Sequence, residues 1–164
     1  MRRMFTAIVA AIGIAGCAGA PQGAASDAGA HAGEPAPFDE TADAEAEAEA
    51  ALAAARLSGK RVLLVVGGDW CHDSRSLAKK FAVPELAALI AANYELKWID
   101  VGRRERNLDV PARFGVPTLV GTPTILILSA DGKLLNRESV HDWRNADDRT
   151  LEETIAYFRS WARP

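Results

Sequence analysis

The sequence predicts an α/β fold, a central mixed β-sheet flanked by helices. Three observations predict it. Val62-Leu63-Leu64-Val65-Val66 is apolar without alternation, the pattern of a strand buried on both faces. Segments of helical period separate this run from later strands, which favours parallel pairing through crossovers. Ala130-Asp131-Gly132-Lys133 reads as a hairpin turn, which adds an antiparallel pair. The chain has 164 residues, enough for one domain of ordinary size plus a tail.

At the N-terminus, Arg2 and Arg3 precede an apolar stretch from Phe5 to Ile14 that is too short to span a bilayer as a permanent helix. Ile14-Ala15-Gly16-Cys17 then places small residues before a cysteine where a secretory signal would be cut. This tetrapeptide resembles the lipobox of bacterial lipoproteins. The resemblance implies that residues 1–16 are a signal peptide and that Cys17 becomes a lipidated N-terminus, holding the protein on a membrane surface without crossing it. It also implies a place in the bacterial cell envelope, on the periplasmic side of the outer or inner membrane if the host has two. Ala18 after the cysteine is compatible with outer-membrane sorting in such a host. An ordinary cleaved signal with an incidental cysteine is the plainer alternative. Residues 17–40 are mostly Ala, Gly, Pro, Ser, Asp and Glu and read as a disordered tether, with His31 solvated in it. The folded domain is then expected over residues 41–164.

Thr41 is a candidate cap for a helix through the Ala/Glu repeat to Leu57, stopped by Gly59 and docked mainly through Leu52, Ala55 and Leu57. After the 62–66 strand, Gly67-Gly68 turns the chain into a helix on which Leu77, Ala78 and Phe81 share a face. Pro84 opens another helix, where its missing donor costs nothing. Tyr94 to Val101 reads as a strand, and Leu108 to Phe114 as a short helix with Asp109 as cap and Gly115 as stop. Thr122 to Ser129 is a strand entered through proline, and Leu134-Leu135 begins its antiparallel return. A polar loop with His141, Asp142 and Trp143 leads into an amphipathic helix, Leu151 to Trp161, with Ile155 and Phe158 on its buried face.

The formal charge is −3. Its 19 basic side chains become 17 if Arg2 and Arg3 leave with residues 1–16, against 22 acidic, a balance of −5. Nothing there invites nucleic acid. The basic group Arg103, Arg104 and Arg106 reads as a solvated loop, with an anion site as the lesser reading. There are two cysteines. If Cys17 is lipidated, Cys71 is alone, and an exported protein with one thiol either hides it or uses it.

The strand–turn–helix at 62–74 delivers Cys71 to a helix N-terminus, where unsatisfied N–H groups and the helix dipole suit a nucleophilic sulfur. Trp70-Cys71-His72-Asp73-Ser74 resembles the W-C-x-x-C site of the thioredoxin family with serine in place of the second cysteine, and Gly121-Thr122-Pro123-Thr124 resembles that family's G-x-P-T segment. The likeness covers roughly Leu57 to Trp161. It implies a thioredoxin-like fold, Cys71 as nucleophile and Pro123 as a cis-proline facing it, with the Thr122 backbone forming a peptide-binding edge. Gly115-Val116-Pro117-Thr118 also fits G-x-P-T. Pro123 is preferred because an apolar strand follows it directly.

In the family, the second cysteine resolves the mixed disulfide, often with a buried carboxylate six residues before the nucleophile. Those positions hold Ser74 and Val65. Serine cannot resolve a mixed disulfide, so an external thiol must. A plainer role for Ser74 is to satisfy first-turn N–H groups. His72 could stabilise the sulfur or pair with Asp73, and Trp70 packs beside the site or forms part of a substrate groove.

Two functions follow. One is a monothiol oxidoreductase whose partners are exported proteins or small thiols that form mixed disulfides with Cys71. The other is a non-catalytic binding module or chaperone that keeps the fold to hold exported clients. A metal at Cys71, His72 and Asp73 is disfavoured because three adjacent residues do not converge on one ion, and no cofactor motif is evident. Cys71 with His141 and Asp142 has the residue types of a cysteine hydrolase but no recognisable signature.

Overall fold

A computed structural model describes residue 33 and residues 35–162. Cys17, the expected signal peptide and most of the expected tether, His31 included, lie outside these residues.

Helix α1 (Ala44–Ser58) begins at Asp43, whose extended backbone lets its carboxylate accept the Ala46 N–H at 3.0 Å. Thr41, the expected cap, is held in the preceding turn, where its N–H and hydroxyl donate to Asp39 at 2.8 and 2.7 Å. Gly59 ends the helix at φ 74°, a conformation that favours glycine. The buried stripe is Ala44, Ala48, Ala51, Leu52 and Ala55, and Leu57 is 90% exposed. Two residues beyond Ala55 is about 200° around the helix, so Leu57 faces away. The small alanine side chains of this stripe let α1 lie close against the sheet.

The sheet has the order β2-β1-β3. Strand β1 (Arg61–Gly67) is central, parallel to β2 (Tyr94–Asp100) and antiparallel to β3 (Thr124–Leu128), with Val65 opposite Trp98 and Ile125. Alternation along β1 divides the interior. Val62, Leu64 and Val66 face a core with α1 and the short α4 (Asp109–Arg113), and Leu63 and Val65 face a second core. That second core is closed by α2 (His72–Phe81), α3 (Pro84–Asn93) and α5 (Leu151–Ser160), through Leu77, Phe81, Leu86, Ile90, Ile155 and Phe158. Pro84 opens α3 as its composition demands, and a reciprocal Thr150–Glu153 capping box opens α5. Among the described residues, no helix is long and apolar enough to cross a membrane.

Two parts of the chain behave differently from expectation. The packed region begins before residue 41: Phe38 is buried, its ring edge-on to Trp98 at 5.1 Å. A single aromatic in a polar stretch was enough to fix it. The return strand after the Asp131-Gly132 turn is reduced to one bridge, Leu128 with Leu134. The side chain of Asn136 replaces it. Its Oδ1 accepts the Ile127 N–H at 2.8 Å and its Nδ2 donates to the Ile125 carbonyl at 2.9 Å, while Leu135 N–H and Val140 C=O complete the edge. Buried backbone groups must be satisfied, and a side-chain amide has the same donor and acceptor as a peptide.

Candidate functional site

The end of β1 turns through Gly68-Asp69-Trp70, closed by the Cys71 N–H donating to the Gly68 carbonyl at 3.0 Å. Cys71 is the N-cap of α2, with extended backbone (φ −86°, ψ 123°), and its carbonyl accepts the Arg75 N–H. Its side chain makes no cap bond. The thiol, 9% exposed, instead donates to the Thr122 carbonyl at 3.4 Å. The next peptide, Thr122–Pro123, is cis. The fold therefore joins the Cys71 turn to the Gly121–Thr124 segment, 51 residues away in sequence. Pro117 lies elsewhere, lining an open cleft of about 270 Å³ with Gly115, Thr118 and Val120.

Ser74, one turn along α2, is fully buried, and its Oγ has no hydrogen-bond partner among the described residues. It does not satisfy the first-turn N–H groups as a serine there could. The hydroxyl points at the end of β1, where a Cβ on Gly67 would lie 2.6 Å from it and 3.1 Å from the Phe38 ring. Gly67 thus makes the room that Ser74 occupies. Val65 behind it is buried and apolar, so no carboxylate stands at that position.

His72 does not pair with Asp73. Its Nε2 lies 3.3 Å from Asp147, whose backbone N–H donates to Asp73 at 3.0 Å. Both contacts come from the loop before α5, which sequence spacing could not place beside α2. Trp70 is 39% exposed at the rim, with its Nε1–H donating to the Gly102 carbonyl at 2.5 Å and the Arg103 guanidinium over its ring at 5.5 Å. The basic loop is therefore clipped to the cysteine turn rather than simply solvated. Arg106 is bound within it by Asp100, at 2.8 Å through Nε and 2.5 Å through Nη2, and by Glu40 at 3.4 Å.

Two residues near the site, Asp69 and Arg144, carried no signal in the sequence. Asp69 has one carboxylate oxygen buried without a hydrogen-bond partner. Burial, then the Asp100 and Glu40 carboxylates, raise its pKa, with the Phe38 backbone N–H pulling the other way. Thr124 Oγ1 donates to the Gly121 carbonyl at 2.9 Å and lies 3.3 Å from His141 Nδ1. His141 is held below the usual histidine range by burial, then by Arg144. Arg144 lies across Gly121, where a Cβ would come within 2.4 Å of its Cδ. These bonds tie His141 to the Pro123 segment, and Asp142 uses its carbonyl to accept from Arg149 at 2.9 Å. No Cys–His–Asp relay forms from them. Among the described residues, no group of three or more His, Cys, Asp or Glu side chains gathers as a metal site.

Residues 43–130 match the model of the thioredoxin-like family. The chain is 31% identical over 101 residues to a probable nucleoredoxin 3 of Oryza sativa subsp. japonica, an alignment covering 50% of this chain but only 21% of that protein's length. Among solved structures it is similar to the disulphide isomerase of Xylella fastidiosa Temecula1, with a TM-score of 0.72 and 33% identity over 77% of this chain and 97% of that one. It also shares its fold with the oxidised C-terminal domain of Neisseria meningitidis DsbD, with a TM-score of 0.51 and 20% identity over 73% and 96% of the two chains.

Proposed function

This chain belongs to the thioredoxin-like family, and from that premise we propose that it catalyses thiol–disulfide exchange through Cys71 alone, as a lipid-anchored protein of the bacterial cell envelope. The observation that carries the reading is the pairing of a nearly buried thiol with a fully buried hydroxyl: Cys71 Sγ opens α2 against the Thr122 carbonyl, and Ser74 occupies the interior position one turn on. The likeness to a disulphide isomerase over nearly that protein's whole length supports the reaction class. The lipobox-like Ile14–Cys17 stretch supports the anchor and the extracytoplasmic place, with Cys17 as the lipidated residue.

In the first step the Cys71 thiolate attacks one sulfur of a client disulfide. A Cys71–client S–S bond forms, the client S–S bond breaks, and the departing thiolate takes up a proton. Ser74 cannot carry the second step, because an alkoxide is too basic and a serine–sulfur bond is not a stable product. A thiolate of the client itself, or of a small thiol, attacks the client sulfur in the mixed disulfide and returns Cys71 as thiolate. Over the cycle Cys71 returns unchanged: resolution by the client's own thiolate rearranges its disulfides, whereas resolution by a small thiol leaves one client thiol free and the other joined to that thiol, which is the reductant. The Thr122 backbone and Pro123 form the edge for the client chain, flanked by Trp70 and His72.

Burial of Cys71 favours the other reading, a binding module or chaperone for exported proteins. Trapping in cells under non-reducing conditions separates the two. Mixed disulfides that disappear with Cys71→Ser are expected. Client capture that persists unchanged in Cys71→Ser, with no covalent adduct on the native protein, would overturn catalysis.

A further inference from the structure

Two arginines border the two segments that meet at Cys71, Arg103 beside Trp70 and Arg144 beside Gly121, and neither pairs with a carboxylate among the described residues. Arg103 is exposed and stacked over the Trp70 ring, beside the cysteine in sequence. Arg144 is exposed and lies across Gly121, next to the Thr122 carbonyl that Cys71 Sγ contacts, with its Nε donating to the His141 carbonyl at 3.0 Å. Each guanidinium is oriented by the protein and has donors left over.

The acidic groups nearby are largely engaged elsewhere. Asp100 and Glu40 hold Arg106, and Glu105 turns back over Gly102 beside the Arg106 Nε. His72, Asp73 and Asp147 satisfy one another. Asp142 and Asp148 share the loop with Arg144, so any preference belongs to the two guanidinium positions and not to the loop's net charge. A chain whose formal charge is −3 thus presents two oriented cations beside the segments that meet at its reactive sulfur.

We propose that Arg103 and Arg144 form a clamp that selects disulfides whose flanking groups carry carboxylates. The inference rests on the exchange reading and names its substrate class. Rim charges act chiefly on encounter rate and salt dependence. An exposed pair is worth a few tenths to 1 kcal/mol, so each arginine should contribute roughly threefold and the two together roughly tenfold.

The test uses the full chain and two matched peptide disulfides, one with Asp and Glu flanking the cysteine and one with Asn and Gln, with Cys71 adduct formation followed by mass. The acidic peptide should react roughly tenfold faster at low salt, with the preference collapsing in about 0.5 M salt as the charges are screened. Arg103→Ala and Arg144→Ala should each lower the acidic-to-neutral ratio about threefold, and Arg103→Lys should retain most of it. Glutathione disulfide run alongside distinguishes a small-thiol carrier from a protein carrier, and discrimination for either supports the clamp. A ratio near one, or a ratio untouched in the double variant, overturns it while leaving the exchange reading intact. Failure of both peptides to form any Cys71 adduct overturns both.

Discussion

The first turn of α2 holds two side chains three residues apart in opposite surroundings. Cys71 is nearly buried but keeps 9% of its surface exposed, where its sulfur meets the Thr122 carbonyl beside Trp70 and the Gly121–Thr124 segment. Ser74 is inside, against Gly67 and near the Phe38 ring, with no partner for its hydroxyl among the described residues. A buried hydroxyl without a partner loses its hydrogen bonds to water and regains nothing. The two positions therefore answer to different demands: the rim residue must be reachable, and the inner residue must fit. A serine meets the second demand poorly and cannot supply the chemistry of a second sulfur.

That contrast can be broken from the interior side. Phe38→Ala removes a buried aromatic that closes the space behind Ser74 and should lower stability by about 3 kcal/mol, read as a lower urea midpoint. Adduct formation at Cys71 in the folded fraction should change far less. Loss of Cys71 reactivity without loss of stability would mean that the two sides of the turn are not separable.

Ser74→Cys sharpens the comparison by placing a sulfur in the inner position. Stability should shift by less than about 1 kcal/mol, since a thiol tolerates an apolar pocket better than a hydroxyl does. Oxidation should then close a bond between residues 71 and 74, seen as a reversible loss of two free thiols, and mixed disulfides should become short-lived. Two thiols that stay free under oxidant would contradict the placement of Ser74 behind Cys71.

The smallest effect is expected at Asp69, between the two regions. Burial raises its folded pKa above the ordinary 3.8. An acid whose pKa rises on folding favours the folded state fully below its unfolded value, and that contribution is lost as pH climbs through the folded value. Asp69→Asn should remove this dependence, making the unfolding free energy flatter from pH 3.8 upward than in the native chain. A native chain with no such slope would contradict the burial of its carboxylate.

Much of this arrangement was legible in the chain before folding. The apolar run at 62–66, the stops at Gly59 and Gly115, and Pro84 are local signals, and each acts within a few residues of where it is written. The preference for Pro123 over Pro117 used the strand that follows it, again a neighbour effect. What stayed hidden depends on partners far along the chain. The alanines of α1 are buried because the sheet lies beneath them, Phe38 because Trp98 and Gly67 leave it a place, and His72 meets Asp147 rather than Asp73 across 75 positions. Arg103 and Arg144 read as ordinary surface charges until the fold sets one beside Trp70 and the other across Gly121.

Asn136 has a consequence for how the rim itself is built. One amide makes two of the edge bonds of β3, beside the Leu135 N–H and Val140 C=O, so the chain need not run a further strand along it. Residues 137–149 are thereby released from ladder pairing, and it is this freed length that carries His141, Arg144 and Asp147 back to the cysteine turn. An edge filled by a side chain also offers little template for a neighbouring molecule to add a strand. The same substitution guards the sheet against self-association and supplies the loop that borders the reactive thiol.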